Sequence, residues 1–72
     1  MTVNELGKTL EDMYENAPEG EKVTMIFLFG IKYQVQIKEV GVRQVIDQSG
    51  ISSTYATELA KAIKLGKYVI VK

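Results

Sequence analysis

The 72-residue chain contains neither cysteine nor histidine. Without cysteine there is no disulfide framework and no thiolate metal site. Without either residue, nucleophile and general-base duties fall to carboxylates, lysine or serine. The acidic residues lie mostly in the first predicted helix and the loop after it, where water keeps their chemistry ordinary. Gly66-Lys67 lacks the rest of a phosphate-binding loop. No apolar run approaches the roughly 20 residues of a membrane span, and the N-terminus lacks the basic-then-apolar order of a signal peptide. These gaps argue against an enzyme, a cofactor, a metal site and a membrane protein. The cytoplasm is the expected compartment.

Net charge is missing too, with nine basic and nine acidic residues. The charges are nevertheless unevenly placed. Residues 1–21 hold six acidic side chains against Lys8, a balance of −5, and residues 22–72 carry the compensating +5. A phosphate backbone responds to the local field, so a basic half can bind while an acidic half faces away. An evenly solvated surface is the plainer reading of the same numbers. An apolar content of 46% with 25% charged residues fits a folded chain rather than a disordered one. One small domain spanning 1–72 is expected, with a core marginal enough for a second copy to help.

Val3, Leu6, Leu10 and Met13 recur at helical spacing, and Thr2 with Glu5 forms a capping-box pair, so residues 2–15 read as an amphipathic helix. Gly7 weakens its middle by up to about 1 kcal/mol against alanine, and leaves room for another helix to approach. The only proline, Pro18, ends it in the loop 16–20. Residues 21–40 are ambiguous. Val23, Ile26, Phe27, Gly30, Ile31 and Ile37 share a helical face, yet Tyr33, Val35 and Ile37 alternate with polar residues as a strand does. A single helix is preferred. The apolar run 25–29 needs cover on both sides, either from the first helix and the segment 42–65, or from a second subunit.

Residues 42–65 then show two short helical faces about a glycine. Val42, Val45 and Ile46 form the first, and Ala56 and Leu59 the second, with Ile51 set to plug the angle between them. Gly50 can take the left-handed turn without steric cost, and a Ser52 or Ser53 oxygen can cap the next helix. This order resembles the helix-turn-helix of bacterial DNA-binding proteins: Gly50 at the turn, Ile51 after it, Ser52-Ser53-Thr54 opening the second helix, and Val45, Ala56 and Leu59 at the buried positions. Two residues depart from the pattern. Ile46 stands where that family prefers alanine for close helix approach, and Ser49 where an apolar residue is common.

The resemblance implies a mainly α fold of three to four helices, a helix-turn-helix unit at 42–65, and a recognition helix 52–65 lying in the major groove of double-stranded DNA. Its outward residues are Ser53, Thr54, Thr57, Glu58 and Lys61. Ser52 is better read as a cap, and Arg43 and Gln44 are placed for phosphates. Tyr55 belongs in the core or on a phosphate, the core being favoured. Gly66 is expected to end the last helix. The run 67–72 carries the clearest strand pattern in the chain and needs a partner, either residues 33–38 or the same run of a second copy. As a strand it sets Lys67 and Lys72 beside the groove. The expected function is a DNA-binding module of a bacterial transcriptional regulator or of a DNA-acting multidomain protein. The alternatives are a protein-interaction or oligomerisation module on the same fold, with a homodimer through 25–29 or 67–72, and an assembly domain of a multidomain enzyme.

Overall fold

A computed structural model describes residues 1–71. Five helices follow in order: α1 (Val3–Glu15), α2 (Lys22–Lys32), α3 (Gln34–Val40), α4 (Val42–Ser49) and α5 (Ala56–Leu65), with a 3-10 turn over Ser53–Tyr55 leading into the last. The body measures 27 × 23 × 21 Å.

Helix α1 begins as its sequence dictates. The Thr2 hydroxyl accepts from the Glu5 N–H at 3.1 Å, and the Glu5 carboxylate accepts from the Thr2 N–H at 2.8 Å, so two otherwise orphaned donors are satisfied. Leu6 and Leu10 then point inward and are fully buried. They join Ile26 and Phe29 from α2, Ile37 from α3, Val45 and Ile46 from α4, and Leu59 and Ile63 from α5 in one core. Each such side chain removed from water stabilises the fold by about 1.5–3 kcal/mol.

Two glycines set how the layers dock. At Gly7 a Cβ would stand 2.6 Å from the Gln48 Cβ and 2.8 Å from the Gln48 carbonyl carbon, so α4 crosses α1 at near backbone contact. At Gly30 a Cβ would stand 2.5 Å from the Ala62 Cβ, and α5 crosses α2 there in the same way. Helices α4 and α5 therefore rest mainly on different partners and touch each other little. Close helix approach is made at Gly7 instead, and Ile46 is buried in the common core.

The predicted single helix over 21–40 is helical throughout but broken. Tyr33 adopts φ −111° and ψ 23°, ending α2 and starting α3. Its ring packs back on Phe29 with centroids 5.2 Å apart. The Gln34 amide reaches the Gly66 carbonyl at 3.0 Å and lies 3.4 Å from the Ile31 carbonyl. The kink thus raises the helix count from the expected three or four to five. None of residues 25–29 is fully exposed, and Ile26 and Phe29 are buried.

The expected C-terminal β-strand does not form: no strand occurs among the described residues. Residues 33–38, its intramolecular partner in the sequence reading, are turn and helix and offer no edge. Residues 66–68 form a turn and residues 69–71 have no regular structure, while Lys72 lies outside the described residues. Gly66 follows the last residue of α5 but keeps right-handed geometry at φ −59°. A Cβ there would stand 2.6 Å from the Gln34 amide nitrogen, the end of a flexible side chain, so a larger residue would displace that side chain rather than the backbone.

Candidate nucleic-acid interface

Helix α4 stops at Ser49, and Gly50 follows in the left-handed region at φ 77°. Ser49 is the one buried polar residue of the described chain. Its hydroxyl donates to the Ile46 carbonyl at 2.7 Å and accepts from the Ile51 N–H at 3.2 Å, so one side chain ties both sides of the turn together. Read from sequence as a departure from an apolar position, it is a staple across the pivot. Ile51 is half-buried and packs against the core, as its place between the helices suggests.

Beyond the turn, the Ser52 hydroxyl accepts from the Thr54 N–H at 3.3 Å and pairs with the Thr54 hydroxyl at 2.9 Å. Ser52 thus caps the 3-10 turn, and the regular helix starts at Ala56, four residues later than the expected 52. Leu59, Ala62 and Ile63 face the core. The opposite edge carries Thr57, Lys61 and Lys64, each exposed and spaced three or four residues apart, so they share one outward stripe, and Ser53 is exposed in the 3-10 turn ahead of it. Thr54 is exposed beside it, and Glu58 is half-buried at its margin. From the sequence Lys64 stands only as a cation of the last helical turn, favoured there by the helix dipole, although its seven-residue spacing from Thr57 carries the signal of a shared face.

The remaining predicted positions lie further off. Arg43 and Gln44 are exposed at the start of α4, the far end from the turn, where no side chain caps the helix. Lys67 is exposed past the end of α5. The only ion pair among the described residues joins Lys8 and Asp12, at 3.6 Å, so Arg43, Lys61, Lys64 and Lys67 are in no direct ion pair there. Separation of acid from base is incomplete: a Glu11 carboxylate oxygen lies 3.6 Å from where a Cβ on Gly50 would stand, beside the turn itself.

Tyr55 is held from behind. Its hydroxyl accepts from the Tyr14 hydroxyl at 3.3 Å, and the rings lie 5.4 Å apart. That bond, followed by burial, pushes the Tyr14 hydroxyl above its ordinary value. Lys22 in turn donates to the Tyr14 carbonyl at 3.0 Å and stands 4.5 Å over its ring. The 3-10 turn is thereby fixed to α1 and α2, and Tyr55 is half-buried as favoured.

A family model described as an HTH-like domain matches residues 2–72. The chain belongs to the HTH-like domain family. The match extends across all five helices of this HTH-like domain, and Gly50 and the stripe of α5 both lie inside it. No curated protein and no solved structure matches the chain. Among the described residues no pocket opens, no group of acidic side chains is arranged to hold a metal, and no helix is long and apolar enough to cross a membrane.

Proposed function

We propose that residues 42–65 of this HTH-like domain form a DNA-binding helix-turn-helix, with residues 52–65 entering the major groove, in a bacterial regulator or DNA-acting protein of the cytoplasm. The observation that carries this reading is the outward stripe on α5. Thr57 and Lys61 project from the edge opposite the core, Ser53 is exposed in the 3-10 turn just before them, and none is engaged by another side chain among the described residues. Hydroxyls at Ser53, Thr54 and Thr57 donate to or accept from base edges, and Lys61 suits a guanine or a phosphate. Glu58 at the margin accepts from a cytosine amino group and repels phosphate elsewhere, which favours discrimination over general affinity. Lys64 and Lys67 follow along the backbone. Arg43 and Gln44, with the uncapped N–H groups at the start of α4, meet a second stretch of phosphates. Ser52 acts mainly through its cap.

Amide chemical shifts recorded with and without duplex DNA test this assignment. The expected result is perturbation concentrated at residues 43–44 and 52–64, with α1 unaffected except near Glu11. Perturbation confined to other surfaces, or none at low salt, rejects it.

A further inference from the structure

Among the described residues only two hydrogen bonds join distant parts of the chain, and both end beside α5. The Tyr14 hydroxyl donates to that of Tyr55, 41 positions away and just ahead of the helix. The Gln34 amide donates to the carbonyl of Gly66, 32 positions away and just past its last residue. Every other hydrogen bond, from backbone or side chain, spans eight residues or fewer. The single ion pair lies within α1. Between the helices, the rest of the contact is packing.

Apolar burial is non-directional, so Leu59, Ala62 and Ile63 constrain the setting of α5 only loosely. The close approach of Gly30 to Ala62 fixes one crossing point within α5, and a helix held at one point can still rock about it. Ties at both ends remove that freedom. The leading end needs its tie more, because Ser53 and Thr54 lie on a 3-10 turn, whose own hydrogen bonds are poorer than those of an α-helix. Tyr14 is itself braced, since Lys22 donates to its carbonyl and stands over its ring. Recognition groups must be held to within about 0.5 Å of their productive geometry, whereas attraction to phosphates is longer in reach and tolerates small displacements. We infer that Tyr14 and Gln34 are positioning residues: acting through Tyr55 and Gly66, they set the tilt and rotation at which Ser53, Thr54, Thr57 and Lys61 meet base edges, and so govern sequence discrimination rather than overall affinity. This inference rests on the DNA-binding reading above.

Two variants release one tie each and leave every outward residue in place. Tyr14→Phe deletes the donating hydroxyl and keeps the ring beneath Lys22. Gly66→Ala sets a Cβ 2.6 Å from the Gln34 amide nitrogen and displaces that side chain. Because Gly66 has right-handed helical geometry, the gain from alanine offsets the lost bond, and this variant should melt close to the parent temperature. Anisotropy titrations of the full chain, well below melting, compare a random-sequence duplex with a duplex that the parent chain selects from a random pool. In each variant the preference for the selected duplex should fall by about fivefold or more, the low end of what one lost base contact costs. Affinity for the random duplex, and its salt slope, should stay as in the parent. A merely structural role would instead lower both affinities together, in step with the melting temperature, and would overturn the inference. Parent-like preference in either variant removes that residue from the role and leaves the DNA reading standing, as does a parent chain that binds both duplexes equally. A parent chain that binds neither duplex overturns the DNA reading and the positioning role with it.

Discussion

Gly7→Ala sets helix propensity against packing, and the structure decides the sign. In an isolated helix the change would stabilise by about 1 kcal/mol, because glycine carries the larger entropic cost of ordering. In this fold the added Cβ would stand 2.6 Å from the Gln48 Cβ, 2.8 Å from its carbonyl carbon and 3.0 Å from the Ser49 nitrogen. Two of those atoms are backbone and cannot rotate aside, so α4 must move off α1. Overpacking of this kind costs about 1–3 kcal/mol. Movement of α4 also disturbs Leu6 and Val45, which share the core at this crossing. With propensity offsetting about 1 kcal/mol of the loss, a net destabilisation of up to about 2 kcal/mol is expected. In a domain of this size that lowers Tm by up to about 16 °C. Thermal unfolding followed at 222 nm measures it, with Lys8→Ala on the exposed side of the same helix as control. A Gly7→Ala chain that melts at or above the parent temperature would refute the α1–α4 docking described above.

Ser49→Ala removes the hydroxyl that bridges the Ile46 carbonyl and the Ile51 N–H. A loss of about 1–3 kcal/mol in chemical denaturation is expected, because a partly buried donor is left unpaired. An unchanged midpoint would show that the turn does not need its staple. The Glu5 carboxyl is held below its ordinary value of 4.5, chiefly by the Thr2 backbone N–H and next by the Thr2 hydroxyl. Because the folded-state value is the lower one, this stabilisation is complete above the ordinary glutamate range and is lost as pH falls through the depressed value. Melting between pH 6 and 2 should therefore decline less steeply in Glu5→Gln, and parallel curves would count against the capping box. Substitution of Lys61 by alanine should weaken binding to random and cognate duplexes alike if its partner is a phosphate, and selectively if it is a guanine. Loss of neither in anisotropy titrations removes Lys61 from the interface.

Local signals carried the parts of the fold that depend on local chemistry. Thr2 and Glu5 announce the start of α1, the spacing of Leu6 and Leu10 its buried face, and Gly50 with Ser52 the turn and cap. Each involves neighbours within four residues. What was hidden depends on partners distant in the chain. The break at Tyr33 follows from packing on Phe29 and from Gln34 reaching Gly66, and no period in residues 21–40 encodes that. Gly7 and Gly30 could be suspected as contact points, but their partners Gln48 and Ala62 become visible only once the helices are docked. The strand pattern at 67–72 was legible as a propensity, yet a strand exists only with an edge to join, and residues 33–38 became helix. Ser49 was misjudged for a similar reason: a hydroxyl at an apolar position looks like a weakness until both of its hydrogen bonds are in view.

The central claim is that the pivot at Gly50 turns a stripe of hydroxyls and free cations outward toward a nucleic-acid backbone. Fluorescence anisotropy of random duplex DNA between 50 and 200 mM salt tests it most directly. With Arg43, Lys61, Lys64 and Lys67 supplying about three to four phosphate contacts per copy, log K should fall against log salt with a slope of about −2.7 to −3.6, roughly 40- to 150-fold over that range. Binding that ignores salt, or no binding at the lower concentration, would contradict it.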